Sequence, residues 1–169
     1  MEKEKVLFSQ THGQVTLTQC LDKILEFYEK NKAFQTPFHI VVGTDSQNFD
    51  YTKVVTVVTA YSEGHGGIFF SEIEKKDLIK SVKMKLNYET QKSLEYANDI
   101  MDILENNEKF MELFINSTFT IHVDASYNDK GKTKELIPAL TGWIKACGYD
   151  CEVKPDSYAA SSIADKISK

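Results

Sequence analysis

Apolar residues recur at Leu17, Cys20, Leu21, Ile24, Leu25 and Tyr28, the spacing of one face of a helix. Thr16 stands three residues before Gln19, a capping-box pairing, so an amphipathic helix is predicted from about 17 to 31. The stretch 31–37 ends in Pro37 and breaks it. Phe38-His39-Ile40-Val41-Val42 is then a nearly continuous apolar run, the pattern of a strand buried on both faces, and predicts a strand over Phe38 to Thr44. Gln47-Asn48-Phe49-Asp50 supplies turn residues, and 52–61 is so rich in β-branched positions that it reads as a second strand, paired to the first as a hairpin.

Glu63-Gly64-His65-Gly66-Gly67 marks another turn and 68–73 a third strand. From about Asp77 to Asn106 the period becomes helical, with an expected interruption near Asn87. Residues 118–124 alternate, with Phe119, Ile121 and Val123 on one face and Thr118, Thr120, His122 and Asp124 on the other, which gives a fourth strand. Thr133 to Cys147 predicts a helix closed by Gly148, 149–154 a short fifth strand, and Pro155-Asp156-Ser157 the cap of a final helix to about Ser168. The expected fold is α/β: a mixed five-stranded sheet, three strands antiparallel and the rest parallel through helical crossovers, flanked by helices.

In such a sheet, ligands gather outside the C-terminal ends of the parallel strands. Asp45, in the stretch GTDSQ, ends the first strand and Asp124 ends the fourth. If these strands are neighbours, the two carboxylates crowd one site, which like charges disfavour unless a cation lies between them. Each aspartate alone is also an ordinary turn cap. Gly43 and Ser46 keep the approach open. A third acid is expected on the helix after the third strand. There Glu89 continues the sheet-facing stripe of Ser93, Ala97, Ile100 and Leu104, whereas Glu95 falls on the polar side. On the last helix Asp165 shares a face with Tyr158, Ser161 and Ser162 and is either a further ligand or a surface charge.

Charge narrows the partners. The formal net charge is −5, from 20 basic and 25 acidic residues, so nucleic acid would not be held by global charge. All the basic residues are lysines, which meet phosphate as point charges, whereas bidentate reading of guanine falls mostly to arginine. Any nucleic-acid contact is therefore expected along the backbone, with little sequence preference. Three cysteines, Cys20, Cys147 and Cys151, and four scattered histidines lack zinc-site spacing. No stretch approaches the roughly 20 apolar residues of a membrane span, and a cytoplasmic location is expected, with no membrane partner. At 169 residues the chain is expected to be one domain.

Together GTDSQ, YETQKSLEYA, HVDAS and KPDSYAASSIADK resemble the ribonuclease H-like superfamily, and within it the YkuK-type family of bacterial proteins. The resemblance spans nearly the whole chain. It implies a ribonuclease H-like core over 37–169 with an N-terminal helical extension over 1–36, and it sets the superfamily's acids on Asp45, Glu89, Asp124 and Asp165. It further implies a nuclease acting on RNA, DNA or their hybrid with two Mg²⁺ or Mn²⁺ ions: Asp45 bridging both, Asp124 and Glu89 on one, Asp165 on the other. Ser46, Gln47, Lys83, Lys85, Lys130 and Lys132 are then the expected substrate contacts. The rival expectation is a non-catalytic binding module on the same fold. An actin-like nucleotide-binding reading finds no Gly-rich phosphate loop in its support.

Overall fold

The structure, a computed structural model, describes residues 3–126 and 132–154. Its strands are β1 (Val6–Ser9), β2 (Gly13–Thr16), β3 (Phe38–Asn48), β4 (Thr52–Ser62), β5 (Gly67–Lys76), β6 (Ser117–Ser126) and β7 (Asp150–Lys154). Its helices are α1 (Leu17–Asn31), α2 (Val82–Asn106), α3 (Met111–Asn116) and α4 (Lys132–Ala146). The strands form one mixed sheet in the order β2-β1-β5-β4-β3-β6-β7. β3, β4 and β5 are antiparallel neighbours, and β6 joins β3, and β7 joins β6, in parallel.

The mixed α/β architecture is the one expected, but the sheet has seven strands rather than five. The two additional strands precede α1, so the residues before β3 hold a β-hairpin and a helix rather than a helix alone. Its turn passes through Gly13 at φ 69°, a left-handed conformation that glycine adopts without a Cβ clash. β1 then joins β5 through the Phe8–Ser71 pair. The expected final helix and the residues named on it lie outside the described residues.

Helix α1 starts where its cap dictates. The Thr16 hydroxyl accepts from the Gln19 amide at 3.2 Å, and the Gln19 side-chain oxygen accepts from the Thr16 amide at 2.9 Å, satisfying two donors a helix start leaves open. Thr16→Ala is expected to destabilise the protein by about 1 kcal/mol, lowering Tm by roughly 2–4 °C. An unchanged melting curve would mean that the cap's exposed bonds are replaced by water without loss.

Helix α2 begins five residues later than its periodicity suggests. Ser81 is the cap, accepting from the Met84 amide at 3.3 Å. The preceding linker is held away from helical geometry by tertiary bonds: the Ile79 amide donates to Thr52 Oγ1 and the Asn48 side chain donates to the Ile79 carbonyl, both at 2.8 Å. No interruption occurs at Asn87, whose low helix propensity is a weak preference overridden by packing on either side.

The core lies where helices meet the sheet. Leu17, Cys20, Leu21 and Ile24 of α1 and Tyr96, Ile100 and Leu104 of α2 pack with Phe38, Ile40, Val42, Val58 and Phe70. A second cluster joins Leu94 and Ala97 of α2 to Ile121 and Val123 of β6 and to Ile137, Leu140 and Ile144 of α4. Val41, on the other face of β3, is also buried, as the nearly continuous apolar run predicts. Among the described residues no helix is long and apolar enough to cross a membrane.

Candidate metal centre

Strand β3 does not end at Asp45. It runs on to Asn48, paired with β4 throughout, Asp45 lying opposite Val55. What ends near Asp45 is the parallel pairing with β6, whose last register is Gly43 with His122. Asp45 and Asp124 each lie two residues beyond that pair, so they stand at equal height where the two strands part. The third acid arrives from α2. The Thr44 and Ser93 hydroxyls are 2.7 Å apart, and Thr44 Oγ1 also donates to Thr56 Oγ1 at 3.3 Å. This polar bridge fixes α2 on β3, and Glu89, one turn before Ser93, is brought over the strand ends.

Oxygen atoms of Asp45, Glu89 and Asp124 all lie within 4.8 Å of one another. Asp45 is 8% exposed and Glu89 6%, and the Asp124 side chain is 18% exposed. The hydroxyl residues flanking Asp45 have distinct tasks. The Ser46 amide donates to Asp45 Oδ1 at 2.9 Å and the Ser46 hydroxyl to Glu89 Oε2 at 3.3 Å. Beneath the acids only about 10 Å³ of space is enclosed, lined by Thr44, Ser93, Ile121 and His122 among others, about the room one water needs.

Burial pushes the Glu89 carboxyl well above its usual range, and the charges of Asp45 and Asp124 push it further, against opposition from Lys85 and the Ser46 hydroxyl. For Asp124 burial acts in the same direction, but a hydrogen bond shared with Asp45 and the Lys154 ammonium together outweigh it and hold the carboxyl below its usual range. Lys154 Nζ lies 2.5 Å from Asp124 Oδ1.

These residues fit a hard divalent cation. Every donor is a carboxylate oxygen, the set suited to magnesium or manganese rather than to zinc, and three such groups share a buried space that favours at most partial ionisation without a compensating charge. Gln47 lies two positions beyond Asp45, on the same face of the strand, and its buried Oε1 has no hydrogen-bond partner among the described residues. A substrate or a bound water at the strand ends would satisfy it.

Of the four acids expected from the sequence, three therefore converge. Asp165, like Lys130, lies outside the described residues. Lys132 opens α4, and its side chain is likewise outside them. Lys85 is close enough to bear on both Glu89 and Asp124, while Lys83 is exposed on the first turn of α2. Sequence reasoning passed over Lys154 and the Thr44–Ser93 bridge. Ser93 carried a signal, being a polar residue on the sheet-facing stripe one turn after Glu89. Lys154 carried a weaker one, as the last residue of the strand that follows the HVDAS strand.

The comparisons bear on the family and the fold. The chain is 31% identical over 171 residues to the "Uncharacterized protein YkuK" of Bacillus subtilis (strain 168), an alignment covering 97% of each chain. No solved structure matches it significantly. The family model described as Ribonuclease H-like matches residues 19–169, so with three acids gathered at the ends of a mixed sheet, the chain belongs to the ribonuclease H-like family.

Proposed function

We propose that this protein is a divalent-metal-dependent nuclease that hydrolyses phosphodiester bonds of RNA, DNA or an RNA/DNA hybrid. The observation that carries the reading is the convergence of Asp45, Glu89 and Asp124 from β3, α2 and β6, with oxygens within 4.8 Å. These three would hold the cation side of the site, with Asp165 as a fourth ligand. Two Mg²⁺ or Mn²⁺ ions, when bound, supply an activated water and stabilisation of the leaving oxygen.

The chain's own residues prepare that chemistry. The Ser46 amide and hydroxyl fix the orientations of Asp45 and Glu89, so little reorganisation is needed when charge develops between them. Lys154 and Lys85 bring positive charge to the rim, where a phosphate would approach. Gln47 offers its free amide oxygen on the same face as Asp45, suited to a sugar hydroxyl or a water. Lys83 would add a further phosphate contact that does not read sequence, and Lys130 and Lys132, whose side chains lie outside the described residues, are proposed for the same task.

The test is incubation of end-labelled RNA, DNA and hybrid of one sequence with Mn²⁺ or with EDTA. Cleavage of at least one substrate in Mn²⁺ and of none in EDTA is expected. A second reading, a non-catalytic binding module, is favoured by one observation: Lys154 already neutralises Asp124, and burial favours a neutral Glu89, so two of the three acids are compensated with no ion. Calorimetry separates the two. Binding of Mn²⁺ that is lost in Asp45→Asn supports the enzyme, and absence of binding in the wild type supports the module.

A further inference from the structure

On the side of α2 away from the carboxylates, a cleft of about 740 Å³ opens between the β5–α2 linker and α4, within the usual size range of ligand pockets. Leu78, Ile79, Met84 and Trp143 supply apolar walls, and Asn87 and Gln91 supply side-chain amides. Met84, Asn87 and Gln91 form one stripe of the helix, roughly opposite Glu89. Trp143 is the chain's one tryptophan. It is 38% exposed, with Met84 at 62% and Leu78 at 37%, and no aromatic ring stacks on it among the described residues. Large apolar groups left in water together mark a binding surface.

Charge and position say what it binds. The segment KKDLIKSVKMK, which supplies the linker wall and Met84, carries five lysines against a single acid, Asp77. Lys76 lines the cleft beside Asp77, Lys83 is exposed on the first turn of α2 and Lys85 bears on the carboxylates, so the segment suits a polyanion although the whole chain is acidic. One wall of the cleft is tied to the strand that carries Asp45. Its Ile79 wall is bonded to Asn48, three residues past Asp45 on β3, or roughly 10 Å at the rise of a strand. An aromatic platform beside amides and lysines is the surface on which an unpaired base stacks while its phosphates follow the positive charges. A duplex keeps its base faces stacked on each other and offers none to Trp143.

We infer that the Trp143 cleft seats a base of a single-stranded nucleic acid whose backbone passes Lys83 and Lys85 towards Asp45, Glu89 and Asp124. The direction of that path rests on the nuclease reading; the cleft itself does not. Stacking is tolerant of base identity, in keeping with a surface that has no arginine.

The test uses the full chain in EDTA. A short fluorescein-labelled oligonucleotide is added as single strand or as duplex, and both probe anisotropy and Trp143 emission are followed. The single strand is expected to quench Trp143 and to bind more tightly than the duplex. Trp143→Ala is expected to weaken binding roughly tenfold, and so is Met84→Glu, an exposed position that tolerates the charge without loss of fold. The inference is overturned by equal or tighter duplex binding, by binding with no change in emission and no response to either substitution, or by no binding. Emission that changes with protein concentration alone also overturns it, since a second copy of the chain would then fill the cleft. With EDTA present none of these readouts involves a cation or turnover, so their failure leaves the carboxylate site standing. Intact quenching with no cleavage in Mn²⁺ would instead overturn the nuclease and keep the cleft.

Discussion

Asp45→Asn is expected to reduce Mn²⁺-dependent cleavage by roughly a thousandfold, the scale of removing a central electrostatic group from a preorganised site. The substitution keeps shape and one hydrogen bond, because the Asn side-chain oxygen can accept from the Ser46 amide as Asp45 Oδ1 does at 2.9 Å. It removes a negative charge from a cluster of three acids whose oxygens lie within 4.8 Å of one another, so the fold should melt no earlier than wild type in EDTA. Loss of activity with an unchanged or raised Tm therefore points to the chemistry rather than to unfolding. The measurement is kcat/KM on whichever substrate the wild type cleaves, alongside a melting curve. Retention of more than about a tenth of wild-type kcat/KM would remove Asp45 from the centre of the reaction, whatever its place in the cluster.

That Asp45 merits this test was half legible in the sequence. GTDSQ presents an acid at the end of an apolar run, and HVDAS presents another. Hydrophobic period places both on strands, because one face of each strand must meet the helices. Glu89 was legible for the same reason, as a charge on a stripe that otherwise faces the sheet. Period does not give register, and register is what sets Gly43 beside His122 and thereby brings Asp45 level with Asp124. Lys154 was hidden for the same reason, since its approach to Asp124 depends on how β7 aligns with β6. The β1–β2 hairpin was missed because each strand spans four residues, too short to show a period against its polar neighbours. The start of α2 was misplaced because tertiary bonds to Ile79, not local propensity, keep the linker out of the helix. The Trp143 cleft joins segments about sixty positions apart in sequence, and only packing of α4 beside α2 makes it.

The second large effect concerns Glu89 and the pH dependence of stability. Its carboxyl is raised well above the ordinary 4.5 by burial and then by Asp45 and Asp124. Above about pH 4.5 the unfolded chain therefore releases a proton that the folded protein retains, so the cation-free fold loses stability as pH rises through the interval up to the raised value. Asp124 behaves oppositely. Its lowered carboxyl adds stability above the ordinary 3.8, and that stability is lost as pH falls through the folded value. The two windows do not overlap, so the fall in Tm above pH 4.5 can be assigned to Glu89 by a single substitution. In EDTA, Glu89→Gln is expected to flatten that fall, since the amide stays neutral and can still accept from the Ser46 hydroxyl. A cation reverses the sign, because it binds the ionised carboxylate. At a concentration about a hundredfold above its Kd, Mn²⁺ should stabilise the wild type by about 2.7 kcal/mol, roughly 5–10 °C in Tm for a chain of this size. The shift should grow from pH 5 to pH 8 as Glu89 becomes easier to ionise, and it should shrink sharply in Glu89→Gln. Melting curves across pH, with EDTA or Mn²⁺, decide the matter. If wild type and Glu89→Gln share one pH slope in EDTA, the buried glutamate is not the group that opposes folding at neutral pH. If both gain equally from Mn²⁺, the ion binds somewhere other than among Asp45, Glu89 and Asp124.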